Sequence, residues 1–228
     1  MDKGRLFVQK KSVCRVVAIA CSAVNLAIGA FSLLAVVLAT IVGLIGTSDM
    51  RELKIAVVVT LFVSLTMTAQ VAYSFYGVMV SHRTLKHIGW AWVAYPVMSV
   101  LGKLSISYMN YAEALSASDM IKQDVDVLSI VTNTLLLLIS LAIGIVLLMC
   151  EQGKLTDKRI LIFLSTAAYV ISVMFSSIQF ISYYTQTDGY QIMMVIAAVT
   201  SILITLGSGF ITYGTPFFLA LSMKNTSE

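Results

Sequence analysis

The residues in this chain able to do chemistry are few, and most of them stand inside apolar runs. Lys103 interrupts Leu101-Gly102-Lys103-Leu104-Ser105-Ile106-Ser107-Tyr108, a stretch with no other charge. An ammonium group in that position has two outlets. It faces an internal cavity, where it would neutralise an anionic group, or it lays its stem along the helix and reaches the interface. At 1.5 Å per residue it lies about 9 Å from the nearer end of its apolar run, so the second outlet is within reach. Its company favours the first. Trp92, Tyr95, Ser99, Lys103, Ser107 and Asn110 recur every three or four residues, which puts them on one helical face.

The same spacing recurs elsewhere without charge. Ser165, Tyr169, Ser172, Ser176, Gln179 and Tyr183 form one face of a later run, and Thr66, Gln70, Tyr73, Gly77 and Ser81 form its counterpart in an earlier one. Small and hydroxyl residues at that spacing commonly serve as helix–helix contacts. The glutamines ask for more, because each amide must satisfy a carbonyl and two N–H groups away from water. Asn25 and Asn133 pose the same demand in two other runs. The candidate solute-binding set is therefore Lys103, Ser99, Tyr95, Gln70, Gln179, Ser172, Ser176, Tyr169, Asn25 and Asn133.

Other chemistry lacks its residues. His82 and His87 share one turn across Arg83, and no carboxylate stands inside an apolar run. Grouped acids, bases or nucleophiles at helical spacing, which catalysis would need, are missing, so we read no enzyme. Cys14, Cys21 and Cys150 have no paired spacing, so neither a disulfide framework nor a metal site follows. No cofactor is implied.

The elements that must position these side chains are set by composition. Of 228 residues, 59% are hydrophobic and 11% charged, and the mean hydropathy is +0.93. A soluble domain carries roughly 25% charged residues, so the expected class is an all-α integral membrane protein in a lipid bilayer, built as one domain over 1–228. Six runs reach the about 20 residues needed to cross a bilayer, namely 16–45, 55–80, 88–109, 127–150, 160–184 and 192–213. The first is longer than one crossing needs, so it should tilt, kink or project. It also continues well past Cys21, which makes it a retained span and not a removed signal. Gly207, Gly209, Gly214 and Pro216 cluster in the last run and point either to a break near 213–215 or to a helix end there.

Most of the 15 Lys and Arg fall on one side of these runs: Lys3, Arg5, Lys10, Lys11 and Arg15, then Arg83, Lys86, Lys154, Lys158, Arg159 and Lys224. The positive side faces the cytoplasm, so both termini are expected there, in a plasma (inner) membrane. Asn225-Thr226-Ser227 would then be an inert acceptor. Trp90, Trp92, Tyr183, Tyr184 and Tyr190 suit interfacial positions. The basic residues form no patch with aromatics, so no nucleic-acid partner is implied.

The two halves echo one another. Leu101-Gly102 and Ile106-Ser107-Tyr108 answer Leu206-Gly207 and Ile211-Thr212-Tyr213; Asn25 and Ser32 answer Asn133 and Ser140; Gln70 answers Gln179. Three runs per half is an odd number, so the second half enters the membrane from the opposite side. The expectation is a 3+3 inverted-topology repeat, about 13–116 and 121–222, with a site between the halves.

By architecture alone this resembles six-helix solute carriers and the membrane-embedded binding subunits of energy-coupling transporters, although the loop motifs of the latter are missing. The first expectation is a carrier or channel-like transport protein for a small solute, with Lys103 neutralising an anionic group. The alternative is a non-transporting subunit (receptor, sensor or assembly partner) whose polar stripes meet a membrane or cytoplasmic partner chain.

Overall fold

The computed structural model describes residues 3–46, 51–117, 127–149, 158–185 and 191–223. Asp119, Lys122, Asp124, Asp126, Cys150, Lys154, Asp188, Tyr190, Lys224 and Asn225 lie outside them, as do the side chains of Lys3, Arg5, Lys10, Lys11, Gln179, Tyr183 and Tyr184. The elements are six helices: α1 (Lys3–Gly46), α2 (Arg51–Met79), α3 (Lys86–Ala117), α4 (Val127–Leu148), α5 (Lys158–Thr185) and α6 (Gln191–Ser222). Helices are what such apolar runs must form in lipid, where each backbone group has to find its partner within the segment. Hydroxyls inside them follow the same rule. Thr40 Oγ1 donates to Val36 O at 2.7 Å, and Ser165 Oγ donates to Leu161 O at 2.7 Å.

Five of the helices contain stretches long and apolar enough to cross a membrane: Ser12–Ile45, Arg51–Met79, Ile130–Leu148, Lys158–Ile178 and Val195–Ser222. The expected third span, α3, is not among them. Its 32 residues give the length, but Lys86, His87, Pro96 and Lys103 dilute its apolar content. α1 is a single unbroken helix of 44 residues, about 66 Å long. The large apolar side chains that point away from the bundle, Phe31, Phe62, Leu104, Phe163 and Leu203 among them, form the outer surface a bilayer would solvate.

Each helix packs on its chain neighbours, and α6 returns to pack on α1, closing a ring. The neighbours run antiparallel. Arg15 near the start of α1 meets Met79 at the end of α2. Gln70 of α2 meets Ala91 of α3, and farther along Thr60 meets Ser105. Two contacts bring backbones close enough to require glycine. A Cβ added at Gly77 would stand 2.6 Å from Ile88 N, and one at Gly144 would stand 2.7 Å from Val93 N.

The core is lopsided. Ala18, Val78, Leu85, Ile88, Trp92, Ile143, Leu147, Leu161, Ala168, Tyr213, Leu219, Ala220 and Met223 make one buried cluster, with every helix contributing. All of them lie toward the end that carries Arg15, Arg83, Lys86, Lys158 and Arg159, here called the basic end. Beyond it burial thins along α1, α5 and α6. None of residues 23–39 of α1 or 169–178 of α5 is buried, nor any described side chain of α6 from 195 to 208. The ring is therefore plugged at the basic end, while toward the other the buried described residues, Thr40, Ala56, Val63, Ser105 and Thr132, belong to α1–α4.

Two details differ from expectation. α6 neither breaks nor ends near 213–215; it runs unbroken through Pro216 to Ser222. Pro216 is fully buried within the plug, so packing on its neighbours holds the helix where a solvated proline would end it. Trp90 and Trp92, expected together at an interface, diverge: Trp90 is 57% exposed and Trp92 5%. Two positions apart on a helix is more than half a turn, and only one of them can face inward.

The basic end is also latched. The Arg15 guanidinium donates to Met79 O at 3.3 Å and to His82 Nδ1 at 3.1 Å, a cation at the negative end of α2. On the other flank of the turn, Tyr73 and His87 hydrogen-bond at 2.8 Å. Arg15→Ala should cost about 0.3–1 kcal/mol and loosen the seam between α1 and α2. With Cys14 and Cys150 replaced by serine, buried Cys21 should then react faster with a maleimide; an unchanged rate would mean that the latch does not govern closure.

Candidate functional site

A cavity of about 190 Å³ lies within the ring, bounded by α1, α2, α3 and α6. α1 contributes Ser22 and Asn25, and α3 contributes Trp92 and Tyr95. α2 contributes Met67, Gln70, Val71 and Ser74, and α6 contributes Thr212 and Thr215. The pairs on α1, α3 and α6 are three residues apart, and Met67, Gln70, Val71 and Ser74 of α2 fall on neighbouring turns of one face. Measured along α3 from Lys86, Tyr95 lies about 14 Å from the basic end, so the cavity rests on the plug. Trp92 belongs to both.

The floor is aromatic. Trp92 packs against Tyr95 with ring centroids 5.7 Å apart and against Tyr213 at 6.1 Å. Tyr213 in turn reaches the Ser140 side chain of α4, so α3, α4 and α6 meet through this cluster. The walls are uncharged and mix polar groups with the apolar side chains of Met67 and Val71. Gln70 Nε2 donates to Ala91 O at 2.7 Å, fixing that amide against α3. Thr215 Oγ1 donates to Ile211 O at 3.2 Å. Asn25 and Ser74 are half-buried and make no hydrogen bond among the described residues. A cavity lined in this way can hold a small polar molecule by hydrogen bonds. Its lining includes no Asp, Glu, His, Cys, Lys or Arg. Among the described residues no three His, Cys, Asp or Glu gather to hold a metal.

Of the ten residues singled out by sequence, Asn25, Gln70 and Tyr95 come together here. Lys103 does not. It is exposed on α3, about 12 Å beyond Tyr95 along the axis, and is not part of the lining. Ser99 is half-buried between the two, outside the lining. Ser172 and Ser176 are half-buried on α5, and Asn133 on α4; these helices give the cavity no wall. Tyr169 lines a second, apolar cavity of about 220 Å³ between α5 and α6, with Phe210, Gly214, Phe217 and Phe218. Its ring lies over Gly209, where an added Cβ would come within 3.2 Å.

Ser22, Ser74, Thr212 and Thr215 were missed. A signal for them existed. Ser22 stands one turn before Asn25, and Ser74 one turn after Gln70, so each extends a polar face already noticed. Thr212 lies four residues before Pro216, as Trp92 lies four before Pro96.

No protein-family model, curated protein or solved structure matches the chain.

Proposed function

We propose that the chain is a membrane transport protein, a carrier or channel-like protein, that binds a small polar solute in the cavity between α1, α2, α3 and α6. The observation that carries this reading is an uncharged cavity of mixed polar and apolar lining, built from four helices and set directly on a buried apolar plug. A protein whose polar residues served only helix packing would have no reason to gather the Asn25 amide and the Ser22 and Ser74 hydroxyls, unpaired among the described residues, around an open volume. At roughly 30 Å³ per water, the cavity suits a solute of a handful of non-hydrogen atoms. With Lys103 outside the lining, nothing there favours an anion, and the anionic solute is withdrawn from the proposal.

The remaining architecture is read with it. α3 serves as a sixth crossing, because it runs antiparallel between α2 and α4 in the ring and its 32 residues span about 48 Å. The halves α1–α3 and α4–α6 pack in the same order, which supports a 3+3 inverted repeat. Arg15, Arg83, Lys86, Lys158 and Arg159 support a basic end facing the cytoplasm, and the reading puts both termini there, in a plasma (inner) membrane. The conformation is then the one closed toward the cytoplasm, and the solute reaches its site from the opposite side.

The test is uptake. In proteoliposomes the double variant Asn25→Leu/Gln70→Leu should lower accumulation of the solute found by screening by about tenfold or more, two hydrogen bonds' worth. Lys103→Met should leave uptake unchanged. Loss with Lys103→Met and none with the double variant would move the site away from this cavity. The alternative, a non-transporting subunit, draws its support from Ser172 and Ser176, a half-buried polar stripe that lines neither cavity. It predicts that binding without uptake accompanies co-purification of a partner chain.

A further inference from the structure

The second cavity, of about 220 Å³, is walled by α5 and α6 alone. Its depth and its mouth differ. Ser165, Tyr213 and Gly214 are buried, whereas Thr166 and Phe210 are exposed. Thr166 continues the exposed stripe of Phe163, Val170 and Met174 on α5, each three or four residues from the next. Phe210 continues that of Leu203 and Gly207 on α6. The cavity therefore opens on the outer surface that a bilayer would solvate, and not on the interior of the ring.

What it offers an occupant is apolar. The Ser165 and Thr166 hydroxyls donate to Leu161 O and Ile162 O of their own helix, at 2.7 and 2.8 Å, and Tyr213 reaches Ser140 of α4. The α6 wall is built of rings set edge to face, Phe210 on Phe218 at 5.8 Å and Phe217 on Phe218 at 5.2 Å. Charge stands at one end of it. Lys158 and Arg159 open α5, two turns or about 10 Å before Ser165 and Thr166. Lys158 shares a helical face with Ile162 and Ser165, and Arg159 shares the next with Phe163 and Thr166. Across 151–159, Lys154, Lys158 and Arg159 outnumber Glu151 and Asp157.

We infer that this cavity is a binding site for an anionic phospholipid of the leaflet at the basic end, one acyl chain entering between α5 and α6 and the headgroup meeting Lys158 and Arg159. The inference stands apart from the reading of the first cavity as a solute site. A mouth on the bilayer-facing surface selects an occupant that arrives through the bilayer. Apolar walls select hydrocarbon, and at roughly 30 Å³ for a water-sized group the volume suits a segment of one chain. Basic residues beside a gap between membrane helices attract anionic headgroups, and a chain seated two turns into the membrane brings its headgroup to their level.

The test uses the full chain in nanodiscs of phosphatidylcholine, with exposed Trp90 replaced by phenylalanine so that Trp92 alone fluoresces. Trp92 is 5% exposed, out of reach of bulk lipid, and its ring lies 6.1 Å from Tyr213, a wall of this cavity. The probes are phosphatidylglycerol and phosphatidylcholine carrying the same chain-brominated acyl groups, added at a low mole fraction. Brominated phosphatidylglycerol should quench Trp92 and saturate, and unbrominated phosphatidylglycerol should reverse the quenching. Brominated phosphatidylcholine should leave Trp92 bright. Lys158→Gln/Arg159→Gln should weaken phosphatidylglycerol by about tenfold or more. Thr166→Phe lays a ring across the mouth and should abolish the quenching, with the unfolding midpoint unchanged because the position is exposed. Equal quenching by the two brominated lipids would overturn the anionic class. Unchanged affinity in the double glutamine variant would overturn the role of the basic pair. A bright Trp92 with both lipids in cooperatively unfolding protein would remove the acyl-chain site itself.

Discussion

Gly144→Ala is expected to destabilise the bundle by about 1–3 kcal/mol and to weaken solute binding with it. The reason is a backbone contact that has nowhere to go. A Cβ at 144 would stand 2.7 Å from Val93 N, 2.8 Å from Val93 Cγ2 and 3.0 Å from Trp92 C. A flexible side-chain tip could turn aside, but an α3 backbone held between α2 and α4 can move only as a helix. When it moves it carries Trp92 and Tyr95, the α3 wall of the cavity. Gly77→Ala meets the same obstacle at Ile88 N and Cα, farther from the cavity. It should therefore cost stability with a smaller effect on binding.

Gly207 and Gly29 provide the contrast, since nothing lies within 4 Å of a Cβ added at either. There alanine should be neutral, or stabilising by up to about 0.8–1 kcal/mol from helix propensity. Thermal unfolding of the four single variants in one detergent separates the cases. Equal midpoints across all four would show that α3 is not clamped as closely as the contacts require.

That contrast also marks what a sequence can disclose. The helices were legible because unbroken apolar runs in lipid have no alternative. Asn25, Gln70 and Tyr95 were legible because each is a polar group with an obligation to meet inside such a run. Lys103 misled for a reason of height and not of face. It shares a helical face with Trp92, but it lies about 16 Å farther along α3, in the half where the described residues of α5 and α6 bury nothing. The same face is buried at Trp92 and exposed at Lys103. Periodicity reports direction around an axis and is silent about what stands opposite at each level.

The proline positions show the complementary failure. Pro216 suggested a broken helix, because proline ends helices in water. Held in a packed plug, it leaves the helix whole and the Thr212 carbonyl without its donor. The echo between halves gave no guide to the cavity, for Asn25 and Gln70 of the first half line it while Asn133 does not. The cavity forms wherever side-chain volumes fail to fill the ring.

Trp92→Ala carries the other large effect. Trp92 is 5% exposed and touches both sides of the boundary between plug and cavity. Its ring meets Tyr95 and Tyr213, and Tyr213 ties the floor to Ser140 of α4. Truncating a buried tryptophan costs about 3–5 kcal/mol. Here the loss falls on packing more than on transfer, because lipid chains are as apolar as the core they would replace. The void left behind joins the cavity above to the seam around Cys21 and Ala18 below. In a background lacking Cys14 and Cys150, Cys21 should become reactive to a maleimide. Proteoliposomes should leak the solute in place of accumulating it, since a carrier needs its closed side closed. Trp92→Phe retains an aromatic ring between Tyr95 and Tyr213 and should keep most of the stability and the seal. If Trp92→Ala lowers the unfolding midpoint but leaves Cys21 protected and the vesicles tight, the plug is sealed by the remaining core side chains and this tryptophan only stiffens the floor.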